Sequence, residues 1–249
     1  FITGGTGSFG KAFVKKIIKQ KFFKKIIIFS RDEFKQYKMQ SNIKELYPLA
    51  YKKNLIRFFI GDVRDYQRLN LAITEDVNIL IHAAALKQVP ICEYNPFEAV
   101  KTNVLGAQNV IEACIKKKIE KVIALSTDKA SSPVNLYGAT KLTSDKLFIA
   151  ANNFKGKNKV IFSVVRYGNV MGSRGSVIPL VLKNLKDKKF NLTHEKMTRF
   201  NITLRESVNF VTNCLTDMKG SEIFIPKLPS YNVTDLIKSI SKDIKIKII

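Results

Sequence analysis

Phe1-Ile2-Thr3-Gly4-Gly5-Thr6-Gly7-Ser8-Phe9-Gly10 decides the fold. An apolar strand opening breaks into a glycine-rich turn, and then Phe9, Phe13, Ile17 and Ile18 mark an apolar stripe at helical spacing that predicts a helix over 9–19. In a turn of this kind Gly4 permits the tight bend, Gly7 lets backbone approach a pyrophosphate, and Gly10 lets the helix lie close on its strand. The amides around Thr6, Ser8 and Phe9, at the start of the helix, then favour phosphate. Alone, such a glycine pattern fits an ordinary strand-to-helix turn; the alternation of strand and helix after it gives it weight.

Working outward, the same alternation recurs. Apolar runs predict strands over 25–29, 56–61, 77–83, 122–127 and 160–166, and helical patterns fall between them over 32–46, 64–73 and 137–152. Asn95-Pro96 reads as an N-cap and first helical position, opening a long helix to 117. Strand and helix in strict turn make an α/β fold, a doubly wound parallel sheet of the Rossmann kind, over 1–167. After Gly168 the pattern loosens into turns, helices near 177–185 and over 204–218, a short strand over 223–225 and a helix from Val233. Residues 168–249 are therefore expected to form a smaller, discontinuous substrate-binding region over the carboxyl edge of the sheet.

Composition narrows the class. The 249 residues bury one substantial core, and 45% hydrophobic with 25% charged residues is a globular balance. A formal net charge of +23 would ordinarily raise nucleic acid as a partner, but the lysines are spread along the chain with no stacking array among them, so no nucleic-acid binding is expected. Three widely spaced cysteines, Cys92, Cys114 and Cys214, argue for a reducing compartment, and two histidines are too few for a metal cluster. No apolar run approaches the roughly 20 residues a membrane span needs, so the expected location is the cytoplasm. The chain opens inside the first strand without Met and stops at Lys247-Ile248-Ile249, so both ends read as cut.

Chemistry collects in a second stretch, Leu125-Ser126-Thr127-Asp128-Lys129-Ala130-Ser131-Ser132-Pro133-Val134-Asn135-Leu136-Tyr137-Gly138-Ala139-Thr140-Lys141. It leaves a strand's carboxyl end, breaks at Ser-Ser-Pro and resumes as a helix on which Tyr137 and Lys141 share a face. A free tyrosine has a pKa of about 10, so a phenol serving as base near neutrality needs roughly 4 kcal/mol of nearby positive charge. Lys141 and an oxidised nicotinamide are expected to supply it. After the second strand, Ser30-Arg31 stands where an NAD binder would carry a carboxylate, which suits the extra phosphate of NADP, while the nearby Asp32 keeps NAD open. Asp62 and Val63 are placed to face adenine; Ala83, Ala84 and Ala85 leave room for a cofactor or pack tightly.

Together the glycine turn, Arg31-Asp32-Glu33, Gly61-Asp62-Val63-Arg64-Asp65, His82-Ala83-Ala84-Ala85-Leu86-Lys87, Ser126 to Ala130, Tyr137 to Lys141 and Arg166 to Ser176 resemble the extended short-chain dehydrogenase/reductase superfamily. Within it the chain is similar to the soluble UDP-N-acetylglucosamine 4,6-dehydratases that invert C5. The resemblance implies transient oxidation at C4, loss of water across C5 and C6, and return of the hydride to C6, giving a 4-keto-6-deoxy sugar of the L-arabino series. It further implies that Tyr137 and Lys141 take the C4 hydroxyl proton with Thr127 on the same oxygen, that Lys129 as neutral amine takes the C5 proton, and that protonated Asp128 serves the departing C6 hydroxyl. Thr102 and Asn103 resemble a polar pair that supports the cofactor, although buried structural bonding explains them equally, and Val170 joins the cofactor set. Lys87, Asn169, Ser173, Arg174, Ser176 and Arg199 match positions that hold sugar and diphosphate. A homo-oligomer, often a hexamer, and a first step toward pseudaminic acid for flagellin glycosylation are implied as well, as is a further segment beyond Ile249. Tyr137 separates the chain from membrane-anchored relatives that retain configuration and carry Met there. A UDP-sugar epimerase and a silent NADP-binding regulator remain as alternatives.

Overall fold

A computed structural model describes residues 1–21, 23–171, 180–182, 184–185, 189–241 and 243–249. Its spine is a seven-stranded parallel sheet. In chain order the elements are β1 (Ile2–Thr3), α1 (Ser8–Gln20), β2 (Ile26–Ser30), α2 (Glu33–Leu46), α3 (Pro48–Lys52), β3 (Ile56–Ile60), α4 (Tyr66–Ala72), β4 (Ile79–His82), α5 (Val89–Tyr94), α6 (Pro96–Val100), a π turn (Lys101–Leu105) and α7 (Gly106–Lys116). They continue with β5 (Lys121–Leu125), a 3₁₀ turn (Asp128–Ala130), α8 (Leu136–Phe154), β6 (Ile161–Val165), β7 (Asn169–Val170), β8 (Lys189–Leu192), β9 (Thr198–Ile202), α9 (Leu204–Asp217), β10 (Ile223–Phe224), β11 (Ser230–Asn232), α10 (Val233–Ile240) and β12 (Lys245–Ile248).

The strand order is β10-β6-β5-β4-β1-β2-β3. The chain winds outward from β1 to β3, crosses back, and winds the other way from β4. β1 is thus flanked by β2 and β4, with Ile2 opposite both Ile28 and Ile81. In such sheets ligands bind beyond the carboxyl ends of the strands at the point of reversal, here between β1 and β4.

Both faces of the sheet are covered, which is why β2 is buried at every position. On one face Phe29, Leu80, Val122 and Phe162 pack with Leu69 of α4, Val110 and Ile111 of α7 and Phe148 of α8. On the other, Ile28, Ile81 and Ile123 meet Phe13, Val14 and Ile17 of α1, Met39 and Ile43 of α2, and Val208, Val211 and Leu215 of α9. Side chains of this size contribute about 1.5–3 kcal/mol each on full burial, so the frame beneath the carboxyl edge is stiff.

The predicted strands and helices of 1–167 are present with end shifts of a few residues. One departs from expectation. The helix read from Asn95 to 117 is α6 and α7 joined through the π turn, and Asn95 does not cap it; the Asn95 amide donates to Ile91 O at 3.0 Å instead. The division at 167 does not coincide with the layers either, because α9 and β10 return to the main sheet, β10 pairing with β6. What lies apart is a pair of small sheets, β11-β9-β7 and β12-β8, over a separate core of Phe190, Leu192, Val233, Ile237 and Ile244. Of the helix expected near 177–185, residues 180–182 are helical and 184–185 form a turn, while 177–179 and 183 lie outside the described residues.

Candidate active site

Gly4 adopts φ 65°, and a Cβ there would stand 2.8 Å from Ala83 O and Ala84 N, so only glycine fits the turn between β1 and β4. Gly7 is the N-cap of α1 with no side-chain cap bond and no acidic residue in the first turn, which leaves amides free at the positive end of the helix. Thr3 Oγ1 accepts from the amides of Ala83 and Ala84 at 3.1 and 3.3 Å, holding the exit of β4 against that of β1. Thr6 is buried, Ser8 exposed and Phe9 half-buried. This cradle fits a dinucleotide: a tight backbone bend, small half-buried side chains at Ala83, Ala84 and Ala85, and an uncapped helix end.

At the outer end of the cradle, Ser30 is buried and its hydroxyl accepts from Gln36 Nε2 at 3.0 Å. Asp32 is occupied as the N-cap of α2, accepting from the Lys35 amide at 2.9 Å and pairing with its ammonium at 2.5 Å. Arg31 stays exposed and lies 3.5 Å from Asp62. Asp62 also accepts from Arg64 Nε at 2.9 Å; burial raises its pKa but the Arg64 bonds outweigh that and hold it below the usual carboxylate range. Val63 is turned into the core, so only its backbone is available to a ligand.

The second stretch leaves β5 at Leu125 and turns on Thr127. That residue caps the 3₁₀ turn, its hydroxyl donating to Asp128 Oδ1 at 2.8 Å and accepting from the Lys129 amide at 3.3 Å. Lys129 Nζ reaches Asp128 Oδ1 at 3.2 Å and Asn169 Oδ1 at 3.3 Å, and both members of the pair are about a third exposed. The Asp128 amide in turn donates to Tyr167 O at 3.2 Å. α8 begins where Asn135 caps it through Gly138 N at 2.9 Å and Glu93 accepts from Leu136 N at 2.8 Å. This start places Tyr137, 9% exposed, in hydrogen-bonding contact with Thr127.

The electrostatics correct one expectation. Burial pushes the Tyr137 phenol up to about 12, the Thr127 bond opposes this, and the charge of Asp128 adds to the rise. Lys141 is itself buried, which pulls its ammonium below the ordinary lysine value while Asp145 pulls it back up. The protein's own groups therefore keep Tyr137 protonated, contrary to the lowering expected from Lys141. Burial and then the Lys141 charge drive His82 down to about 3, so its imidazole is neutral; its Nδ1 lies 2.9 Å from Thr3 Oγ1.

A family described as polysaccharide biosynthesis protein matches residues 1–249. The chain belongs to this family. It is 53% identical over 250 residues to UDP-N-acetylglucosamine 4,6-dehydratase (inverting) of Campylobacter jejuni subsp. jejuni serotype O:23/36 (strain 81-176), covering 100% of this chain and 72% of that protein. It is also 45% identical over 243 residues to UDP-glucose 4-epimerase of Rickettsia canadensis (strain McKiel), covering 96% of this chain and 69% of that one. The X-ray structure of Pen from Bacillus thuringiensis superposes with TM-score 0.89 at 42% identity, covering 100% and 78% of the two chains.

In this member of the polysaccharide biosynthesis family, Thr127, Asp128, Lys129, Tyr137 and Asn169 come together, with Lys141 behind them. Lys87 is exposed in the segment after β4, Val170 is half-buried in β7, and Arg199 is exposed on β9 opposite Tyr231. Ser173, Arg174 and Ser176 lie outside the described residues. Thr102 is buried with its hydroxyl unpartnered. Asn103, by contrast, is fully engaged in holding the scaffold: its side chain bonds both the N–H and C=O of Leu86 at 2.9 Å and reaches Thr140 Oγ1 at 3.1 Å. Sequence reasoning missed Gln36, Glu93 and Asp145. Only Asp145 left a usable signal, an acidic residue on the helix face that carries Lys141.

Proposed function

We propose that the chain is a UDP-N-acetylglucosamine 4,6-dehydratase of the inverting, soluble class that uses NADP. One observation carries the reading: an adjacent acid and amine, Asp128 and Lys129, stand paired beside Tyr137 at the carboxyl end of β5. An epimerase needs only hydride transfer, whereas dehydration also needs a proton taken from C5 and one given to the C6 oxygen. Asp128 and Lys129 as folded form an ion pair; moving one proton along their 3.2 Å hydrogen bond yields a carboxylic acid and a neutral amine, the two forms required. Asn169 holds the amine in place from the β6 side.

When bound, the nicotinamide would take the hydride from C4 and give it back at C6, and its positive charge would oppose the burial that keeps Tyr137 protonated. Tyr137 then receives the C4 hydroxyl proton, with Thr127 bonded to the same oxygen. Lys129 takes the C5 proton, Asp128 protonates the C6 oxygen as it leaves as water, and C5 is reprotonated from the opposite face. Arg31, exposed and only loosely paired with Asp62 at 3.5 Å while Asp32 caps α2, supports NADP over NAD. Arg199 and Lys87, with the part of 168–249 that lies outside the main sheet as the substrate-binding region, would hold the diphosphate and sugar.

A homo-oligomer belongs to the same proposal, and the exposed Tyr94, Phe97 and Leu105 along α5 to the π turn offer an apolar face for it. So do a cytoplasmic location and a place at the start of pseudaminic acid synthesis for flagellin. The test is incubation with UDP-N-acetylglucosamine and NADP, with product mass as readout. Loss of one water, abolished in Lys129→Met and Tyr137→Phe, is the expected result. A product of unchanged mass would give the site to the epimerases, the second reading that the Rickettsia relative favours.

A further inference from the structure

α8 buries a carboxylate that the proposed dehydration does not use. Asp145 stands one turn beyond Lys141 and two beyond Tyr137, and is 1% exposed. Its Oδ2 accepts from Ser126 Oγ at 2.8 Å and from Arg166 Nε at 2.7 Å. Ser126 directly precedes Thr127, whose turn carries Asp128 and Lys129. Arg166 directly precedes Tyr167, whose carbonyl accepts the Asp128 amide, and lies just before Asn169, which accepts from Lys129. Three segments distant in sequence meet on this one group. Its Oδ1 has no hydrogen-bond partner, although it is buried.

A purely structural explanation is insufficient. A buried Asp–Arg pair is often no more stabilising than apolar residues of the same volume. What apolar residues would not provide is a negative charge beside a buried lysine. We propose that Asp145 is the positioning residue of this site: its carboxylate fixes the 126–129 turn, the exit of β6 and the Tyr137/Lys141 face of α8 against one another, and supplies the charge opposite Lys141. The proposal rests on the dehydratase reading of the same site.

The charges around Lys141 and Tyr137 come from every neighbouring element. α8 contributes Asp145 itself; β4 contributes the neutral His82; the exit of β6 contributes Arg166 and Tyr167; the β5 exit contributes Asp128, already paired with Lys129; α5 contributes Cys92. Asp145 is the carboxylate that acts on Lys141 directly. Without its charge, Arg166 is left uncompensated and Lys141 loses its proton at lower pH. Tyr137, freed of a neighbouring negative charge, also ionises at lower pH.

The experiment compares Asp145→Asn, which keeps the shape and loses the charge, with Asp145→Glu, which keeps the charge. With UDP-N-acetylglucosamine as substrate, Asp145→Asn is expected to lower kcat about tenfold or more with little change in KM, and to move the alkaline limb of the pH–rate profile acidward by about one unit or more. Asp145→Glu is expected to return the limb to its parental place. A second readout needs no turnover: the ultraviolet titration of the Tyr137 phenol, taken as the difference between each protein and its Tyr137→Phe derivative, moves to lower pH in Asp145→Asn. An unshifted limb and an unshifted phenol in a folded Asp145→Asn protein would overturn the proposal, as would a shifted limb in Asp145→Glu should the Asn variant not fold. If the parent releases no water from the sugar, the function reading fails, and the phenol titration still decides whether Asp145 acts as a charge.

Discussion

Gly138 follows the tyrosine of the site and packs against the turn that carries the acid and the amine. A Cβ built there would lie about 0.8 Å short of the 3.0 Å that real Cβ atoms keep from other atoms, with Lys129 O as the obstacle, and would also touch Pro133 Cβ at 3.0 Å. Gly138→Ala sets two effects against each other. In a helix interior alanine is favoured over glycine by about 1 kcal/mol, while overpacking against backbone costs about 1–3 kcal/mol. Stability is therefore expected to fall by no more than about 2 kcal/mol, and the protein stays folded. Activity responds differently, because relief of the clash moves the 3₁₀ turn away from α8 by the better part of an ångström. Asp128 and Lys129 ride on that turn, and displacement on this scale costs about 100-fold in rate. Turnover of UDP-N-acetylglucosamine followed by product mass, beside a thermal melt, separates the two outcomes. A Gly138→Ala enzyme with turnover within about threefold of the parent would refute the claim that placement of this turn limits the chemistry.

Other perturbations address separate parts of the site. Arg31→Ala is expected to lose NADP affinity by about tenfold or more while leaving NAD nearly unchanged, as isothermal titration with each cofactor would show. Asn103→Leu strands the N–H and C=O of Leu86 in the interior and should cost about 1–3 kcal/mol in urea unfolding, with Asn103→Asp recovering part of it. Glu222 is raised by burial but lowered more by bonds from Ser163 and the amides of Lys219 and Gly220, so its carboxyl sits below its ordinary 4.5. That stabilisation is complete above pH 4.5 and is lost as pH falls through the folded value. Glu222→Gln should accordingly show a flatter decline of melting temperature below pH 4.5 than the parent.

The main sheet was legible because strands buried on both faces leave uninterrupted apolar runs, as at Ile26 to Phe29. The small sheets were not. Lys189 to Leu192 and Lys245 to Ile248 are short and largely exposed on one side, and each finds its partner far away in sequence. The π turn left no mark either, since nothing in Lys101 to Leu105 forbids an ordinary helix; within it Asn103 turns inward to bond Leu86, a contact only the packed chain provides. Motifs contiguous in sequence gave the turn of Thr127 to Lys129 and the Tyr137/Lys141 face. Asp145 escaped because its partners, Ser126 and Arg166, become neighbours only when β5, β6 and α8 are packed together.

The same packing bears on how one frame serves both hydride transfer and dehydration. Tyr137 and Lys141 are set by α8, and nothing in their geometry distinguishes an epimerase from a dehydratase. Asp128 and Lys129 are set by a three-residue turn too short to hold its own shape in water. It is held from outside, by the Thr127 cap, by Tyr167 O on the Asp128 amide, by Asn169 on the Lys129 ammonium and by the close approach of Gly138. Thr127 and Gly138 belong to the exit of β5 and to α8 on the main sheet, and Asn169 adds a restraint from β7 of the small sheet, so a turn with little intrinsic stability is held in place from outside. On the proposed roles of Asp128 and Lys129, the acid and base of dehydration would be added to the hydride-transfer frame by changing two side chains at the exit of one strand, provided the surrounding contacts already hold that exit still.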